Sequence, residues 1–275
     1  MSPLTVVKAH AFGNDFILLD ESALGPATNR PALARALCER HRGLGADGLI
    51  VYTPTPRGAS MRLLNADGSR SEVSGNGVRC LAAWLADARG LAPGDAPVTV
   101  ETEAGAKRLE VLAHDEGRWT FRAAMGAPED IADVTLRVAG EDVRAVTLRV
   151  GNPQCVVLGE VSQLRLHTIA AALAVHTHFP EGTNVELAEV LSPGHVRVLI
   201  WERGVGPTEA SGTGACAAAI AAMRHGGAAP AVEVESPGGV QRVEWVGGEL
   251  FLTGWAEVIL EARWLAAEGE GQRGW

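Results

Sequence analysis

Glu72-Val73-Ser74-Gly75-Asn76-Gly77-Val78-Arg79 is the stretch on which the reading of this chain turns. A polar, glycine-rich turn leads into Val78, Leu81, Ala82 and Leu85, apolar at the i, i+3, i+4, i+7 spacing of one helix face. Ser74 stands where an N-cap belongs, and the glycines after it leave the backbone N–H groups of the first turn uncovered. Such a helix start carries partial positive charge and unpaired donors, so it attracts anions. The same device returns as Glu209-Ala210-Ser211-Gly212-Thr213-Gly214-Ala215-Cys216, again ahead of a small-residue helix.

The recurrence extends well beyond the two helix starts. Gly13-Asn14 recurs as Gly151-Asn152, Gly45-Ala46-Asp47 as Gly182-Thr183-Asn184, and Val98-Thr99-Val100-Glu101 as Val232-Glu233-Val234-Glu235; Asn65 maps to Glu202 and Ser74 to Ser211. All five pairs keep a nearly constant offset, which means a duplicated domain and not a solenoid. The pattern predicts central helices over 75–89 and 212–225. Further helices are expected over 30–41 and 163–177. Short strands fill the remainder, with separate strands at 249–253 and 256–263 and a frayed polar tail from Ala266. The repeat makes these two pseudo-symmetric domains. Residues 1–116 form the first domain, 262–275 return to it, and 117–261 form the second. A pseudo-two-fold relation between the copies would set Ser74 and Ser211 on either side of one ligand, an arrangement suited to taking a proton from one face of a carbon and returning one to the other.

Composition excludes several classes. A net charge of −9 with no basic stripe argues against nucleic acid or an anionic membrane as partner. No apolar run reaches membrane-spanning length, and the start of the chain lacks the pattern of a signal peptide. Cys38, Cys80, Cys155 and Cys216 have no C-x-x-C spacing and read as reduced thiols of a cytoplasmic protein. Gly43-Leu44-Gly45-Ala46-Asp47-Gly48 fits G-x-G-x-x-G, but it follows a helix and precedes a strand. The dinucleotide fingerprint needs the opposite order, so this is a helix-to-strand turn. His176-x-His178 offers two metal-ligand types without a third at matching spacing, and reads as a capping or solvated pair at a helix end. No cofactor and no metal is expected.

Taken together, Gly13-Asn14-Asp15-Phe16, Arg42–Gly48, Asn65-Ala66-Asp67-Gly68-Ser69, Ser74-Gly75-Asn76-Gly77-Val78-Arg79-Cys80, Gly151-Asn152-Pro153, Gly182-Thr183-Asn184-Val185, Glu202-Arg203-Gly204-Val205-Gly206 and Gly212-Thr213-Gly214-Ala215-Cys216 resemble the diaminopimelate epimerase family over nearly the whole chain. The resemblance implies an α/β (α+β) fold of two pseudo-symmetric domains, each a mixed β-sheet or barrel wrapped around a central helix, with a cleft between them, and a cofactor-independent, two-base epimerase. It implies substrate binding by Asn14, Asn65, Asn152, Asn184, Glu202 and Arg203, with backbone donors at Gly75, Asn76, Gly212 and Thr213 for the reacting carboxylate. The helix starts suit charge that builds as the adjacent carbon loses its proton, and Arg203 suits a distal carboxylate.

The chain departs from the family where the chemistry lies. The family's two catalytic cysteines fall at Ser74 and Ser211, and its histidine after Gly-Asn-Pro falls at Gln154. A thiol titrates near pH 8.5 and lower at a helix N-terminus, whereas a hydroxyl needs an adjacent base. Glu202 can serve Ser211; Gln154 cannot serve Ser74. The reading carried forward has Ser74, Ser211 and Glu202 as catalytic residues acting on an amino-dicarboxylate, most simply diaminopimelate. The alternatives are an isomerase on another carboxylate using the same Ser/Ser pair, and a ligand-binding homologue without turnover. Strand edges of such a fold allow pairing into a homodimer.

Overall fold

The computed structural model describes residues 3–71 and 74–265. Glu72 and Val73, at the head of the quoted stretch, lie outside the described residues, as do the tail from Ala266 and most of the return expected over 262–275. The chain divides into two compact units, Met1–Ala106 with Ala113–Trp119 and Ala256–Trp275, and Lys107–Leu112 with Thr120–Trp255. They are called the N-terminal and C-terminal units below.

The N-terminal unit is built on β1 (Leu4–Ala11), β2 (Asn14–Asp20), α1 (Arg30–Cys38), β3 (Gly48–Thr55), β4 (Gly58–Asn65), β5 (Arg70–Ser71), α2 (Gly75–Arg89) and β6 (Val98–Thr102). β1 and β2 are antiparallel, β2 and β3 parallel, β3 and β4 antiparallel, and β4 and β6 parallel. Linking strands β7 (Gly105–Asp115) and β8 (Arg118–Gly126) follow. The C-terminal unit contains β9 (Glu129–Val138), β10 (Glu141–Val150) and β11 (Asn152–Leu158). After these come α3 (Gln163–Arg165), a π-wound turn at Leu166–Ala170, and α4 (Ala171–Ala174). Then follow β12 (Asn184–Ser192), β13 (His195–Glu202), β14 (Gly206–Thr208), α5 (Gly212–His225), β15 (Ala231–Ser236), β16 (Gly239–Val246) and β17 (Glu249–Trp264).

Strand pairing repeats step for step. β10 and β11 are antiparallel, β11 and β12 parallel, β12 and β13 antiparallel, and β13 and β15 parallel. The duplication seen in the residues is therefore a duplication of topology. In each unit the sheet is covered on both faces. Ile17, Leu19, Leu49 and Val51 pack towards α1, and the alternate residues of β2 and β3 turn towards α2. In the C-terminal unit Val156, Ala188, Val198 and Ile200 share a core with the alanine-rich α5, while Cys155, Val185 and Leu187 pack with Leu166, Ile169 and Leu173 on the other face. Alanine and glycine let α5 approach the strands closely: Ala215 to Ala222 are all buried.

Both central helices have the bounds expected of them. The others differ. α1 ends at Cys38 and not at residue 41, because the N–H groups of Leu44 and Gly45 fold back on the Leu37 carbonyl. The helix expected to reach residue 177 stops at Ala174, after its middle turn has unwound to π geometry. The two strands expected over 249–263 are one continuous β17. It pairs with β16 as far as Thr253 and with β1 from Glu257 onward. Among the described residues no helix is long and apolar enough to cross a membrane.

Candidate active site

Ser74 caps α2 from extended backbone, and its Oγ accepts the Gly77 N–H at 3.1 Å. Ser211 caps α5 in the same way, accepting from Gly214 at 3.3 Å. Ser211 is 6% exposed and lies 3.4 Å from the Thr213 hydroxyl. The first N–H groups of a helix have no intrahelical acceptor, so each serine takes one of these donors onto its own oxygen. The positive end of the helix then lies beside a hydroxyl and favours its ionised form.

Around Ser74 the N-terminal unit assembles a polar chain. Asn14, first residue of β2, donates to Asp47 at 2.6 Å and accepts from Asn76 at 3.3 Å. Asn76 accepts in turn from the buried Arg79, whose guanidinium lies 5.4 Å from the centre of the Phe12 ring. Asp47 also takes the Asp15 N–H and an Arg40 ion pair, so Asn14 is anchored at both ends of its amide. Asn65 ends β4 opposite Gly48 and donates to Ser69. Asn14 and Asn76 with its neighbour Ser74 are thus brought together; Asn65 joins them through the strand register and not through a direct bond.

The C-terminal unit assembles the equivalent set. Asn152 opens β11 and accepts from Gln154 at 2.5 Å. Asn184 opens β12 beside Gln154 in the parallel register, and its side chain accepts the Arg203 N–H at 2.8 Å. Arg203 also donates to the Glu181 carbonyl at 3.1 Å. Glu202 ends β13. One residue absent from the sequence reading stands among them: Glu186, fully buried on β12. Burial, and next the charge of Glu202, push its carboxyl well above the usual carboxylate range. A signal for it existed. The first half of β12, Asn184 to Ala188, is buried between two helical layers, so a glutamate there has no solvent to face.

The cysteines stay out of this chemistry. All four are free and buried. Burial pushes the Cys38 thiol up to about 12 and raises Cys80 and Cys155 further. Cys80 and Cys216 lie in the second turns of α2 and α5, past the capping positions. The glycine motif is a helix-to-strand turn between α1 and β3, and a Cβ at Gly43 would lie 2.4–2.6 Å from three carbonyl oxygens of the α1 end. His176 Nδ1 accepts the His178 N–H at 3.1 Å just past α4. Among the described residues no group of three or more His, Cys, Asp or Glu side chains is placed to hold a metal ion.

The family model for diaminopimelate epimerase matches residues 6–131 and 146–259. A diaminopimelate epimerase of Desulforudis audaxviator is 41% identical over 277 residues, covering 94% of this chain and 99% of that protein. One of Xanthomonas campestris pv. campestris is 38% identical, covering 95% and 96%. Among solved structures, a PhzF-family phenazine biosynthesis protein of Bacillus anthracis superposes with a TM-score of 0.72 at 16% identity, over 97% of this chain and all of that one. A probable proline racemase of Agrobacterium radiobacter K84 gives the same score and identity over 98% and 94%. At that identity the likeness is one of fold.

Proposed function

The chain belongs to the diaminopimelate epimerase family, and on that premise we propose that it interconverts LL- and meso-diaminopimelate without a cofactor, by two-base proton transfer at the α-carbon. The observation that carries the reading is the pair of cap serines, each at the glycine-lined start of its own buried helix in a duplicated unit. Ser74 and Ser211 act on opposite faces of the α-carbon. Backbone donors of Gly75, Asn76, Gly212 and Thr213 hold the reacting carboxylate and stabilise the charge that spreads onto it as the C–H bond breaks. Asn14, Asn65, Asn152, Asn184 and Glu202 bind the amino and carboxylate groups, and Arg203 takes the distal carboxylate as a fork-shaped donor. Glu202 supports Ser211 as its base. The enzyme works in the cytosol, and a homodimer through strand edges belongs to the same reading, to be checked by light scattering.

Incubation with LL-diaminopimelate in deuterated water tests it. The expected result is meso product carrying α-deuterium. Absence of both at high enzyme concentration refutes the epimerase reading. One observation favours a second reading, a binding protein that has lost turnover: both serine oxygens are engaged as caps, and the family's histidine position holds an amide. That reading predicts ligand-induced thermal stabilisation without solvent exchange.

A further inference from the structure

The face of β11, β12 and β13 that packs on α5 is apolar along most of its length, through Val156, Ala188, Val198 and Ile200. At the end beside the start of α5 it turns polar. Gln154 and Glu186, 1% and 0% exposed, lie there on adjacent strands two residues apart in register, within the diagonal reach of long side chains. Neither carboxyl oxygen of Glu186, nor Gln154 Oε1, has a hydrogen-bond partner among the described residues. A Cβ built on Gly214 would lie 2.8 Å from Glu186 Oε1 and 3.4 Å from Ser211 Oγ. Carboxyl and hydroxyl therefore border the same gap, which a glycine keeps open.

The N-terminal unit supplies an internal control. Strand pairing puts Phe16 where Gln154 stands and Ile50 where Glu186 stands. A Cβ on Gly77 would meet Ile50 Cδ1 at 3.0 Å, Ser74 Cβ at 3.4 Å and Phe16 Cε1 at 3.5 Å. The scaffold thus fills this place with an apolar pair in one copy, so the fold does not require a carboxyl there. A buried carboxyl without partners is costly, and its presence behind Ser211 alone calls for a chemical reason.

We propose that Glu186 is a positioning residue of the Ser211 half-site, exchanging a proton with the Ser211 hydroxyl while Ser211 exchanges one with the α-carbon. This rests on the epimerase reading above, with Glu186 in place of Glu202 as the group that exchanges the Ser211 proton. When Ser211 acts as acid, its Oγ–H bond breaks as the new C–H bond forms, and the Glu186 carboxyl proton moves to Oγ, leaving a carboxylate. In the reverse direction the C–H bond breaks, Oγ takes that proton, and its own hydroxyl proton moves to the Glu186 carboxylate. Every proton is accounted for, and no free alkoxide is needed on this side. The positive start of α5 steadies the carboxylate once formed. The titratable groups that act with Glu186 are Glu202 on β13 and Cys155 on β11; no cation acts on it among the described residues. Burial and the Glu202 charge favour the protonated carboxyl, the form that loads Ser211 as the acid.

The test reads the coupling first without turnover. In S211C the introduced thiol reports on the Ser211 position against four buried native cysteines, and its alkylation rate is followed with pH. Adding E186Q is expected to lower the midpoint by about one pH unit, tenfold more thiolate at a given pH. An unmoved midpoint overturns the proposal whether or not the chain is an epimerase. The second arm uses the otherwise unaltered chain. E186Q is expected to lower kcat at least tenfold with KM for diaminopimelate little changed and to remove one limb of the kcat pH profile; E186D restores part of both. An unchanged kcat and profile also overturns it. If E186Q does not fold, E186I copies the residue that the N-terminal unit holds at this place. No α-deuterium in the unaltered chain refutes the epimerase reading, and the thiol titration then judges Glu186 alone.

Discussion

Replacing Glu186 by Gln should change how stability depends on pH, in a direction that the burial of this residue fixes. An unfolded chain leaves the glutamate at its ordinary value of 4.5, whereas burial and then the Glu202 charge raise it well above that in the fold. Between those two values the folded state holds one proton more than the unfolded state. Stability from this group is therefore fully present below the unfolded value and is lost as pH rises through the window. The slope is about 1.4 kcal/mol per pH unit while the folded carboxyl stays protonated, a large fraction of a total of roughly 5–15 kcal/mol. Gln keeps the shape and has no proton to lose. Urea unfolding of both proteins at pH 5, 6 and 7 should thus show E186Q gaining on the parent by about 1.4 kcal/mol per unit. The lowered carboxyls of Asp133 and Asp67, held down mainly by bonds from Arg224 and Ser69, and of Glu39, held down by the Arg42 N–H, lose their contribution as pH falls. They are common to both proteins and cancel in the difference. Parallel curves from pH 5 to 7 would show that Glu186 is ionised in the fold, and the argument from burial would fail.

Four further outcomes are expected. Ser74→Ala and Ser211→Ala each remove an oxygen that accepts a first-turn N–H, and should each cost about 1 kcal/mol in urea unfolding. The double variant S74C/S211C places thiols at both helix starts, and its α-deuterium exchange should rise by about 10²-fold or more; no gain would mean that the rest of the pocket is not an epimerase pocket. Gly43→Ala forces a Cβ onto three carbonyls at 2.4–2.6 Å and should destabilise by about 1–3 kcal/mol, as overpacking does. In S74C, adding R79M removes a buried positive charge from the same helix and should raise the pH midpoint of thiol alkylation, the opposite of what E186Q does to S211C.

The central helices were legible because local chemistry marks their ends: Ser74 and Ser211 as caps, and Gly90 as the left-handed residue that stops α2. Duplication was legible because the turns are held by residue types that few others replace, such as Gly13-Asn14 and Gly151-Asn152, whose glycines have φ of 85° and 75°. β17 was not, since Gly254 reads as a break; tertiary pairing with β16 and then β1 carries the strand straight through it. The π turn at Leu166–Ala170 left no local signature in the sequence. A charged residue in a strand faces outward where the sheet has one wet face; Glu186 does not, because its strand is covered on both faces there. Of the residues expected at the site, Asn14 bonds to Asp47 and Asn76 in one unit, and Asn152 and Asn184 accept from Gln154 and the Arg203 N–H in the other.

A two-base epimerase needs its bases in different states at any instant: one ready to take a proton, the other ready to give one. Cysteines reach this because a thiol titrates near the working pH, so small differences in surroundings separate two of them. Serines lie much further from that range, and equal surroundings would leave both as inert hydroxyls. The two units do not supply equal surroundings. The offset that pairs Ser74 with Ser211 pairs Arg79 with Cys216, and strand pairing sets Phe16 and Ile50 against Gln154 and Glu186. One helix start therefore has a buried guanidinium that donates to Asn76 in its first turn and an apolar wall behind it. The other has a buried carboxyl and an amide. A cation there favours the ionised form of Ser74, and in the proposal made above a protonated carboxyl supplies Ser211 with its proton. Opposite biases on a repeated scaffold are what a hydroxyl pair needs if it is to do the work of a thiol pair, and they arise at positions where one copy of the fold shows that neither charge was required for packing.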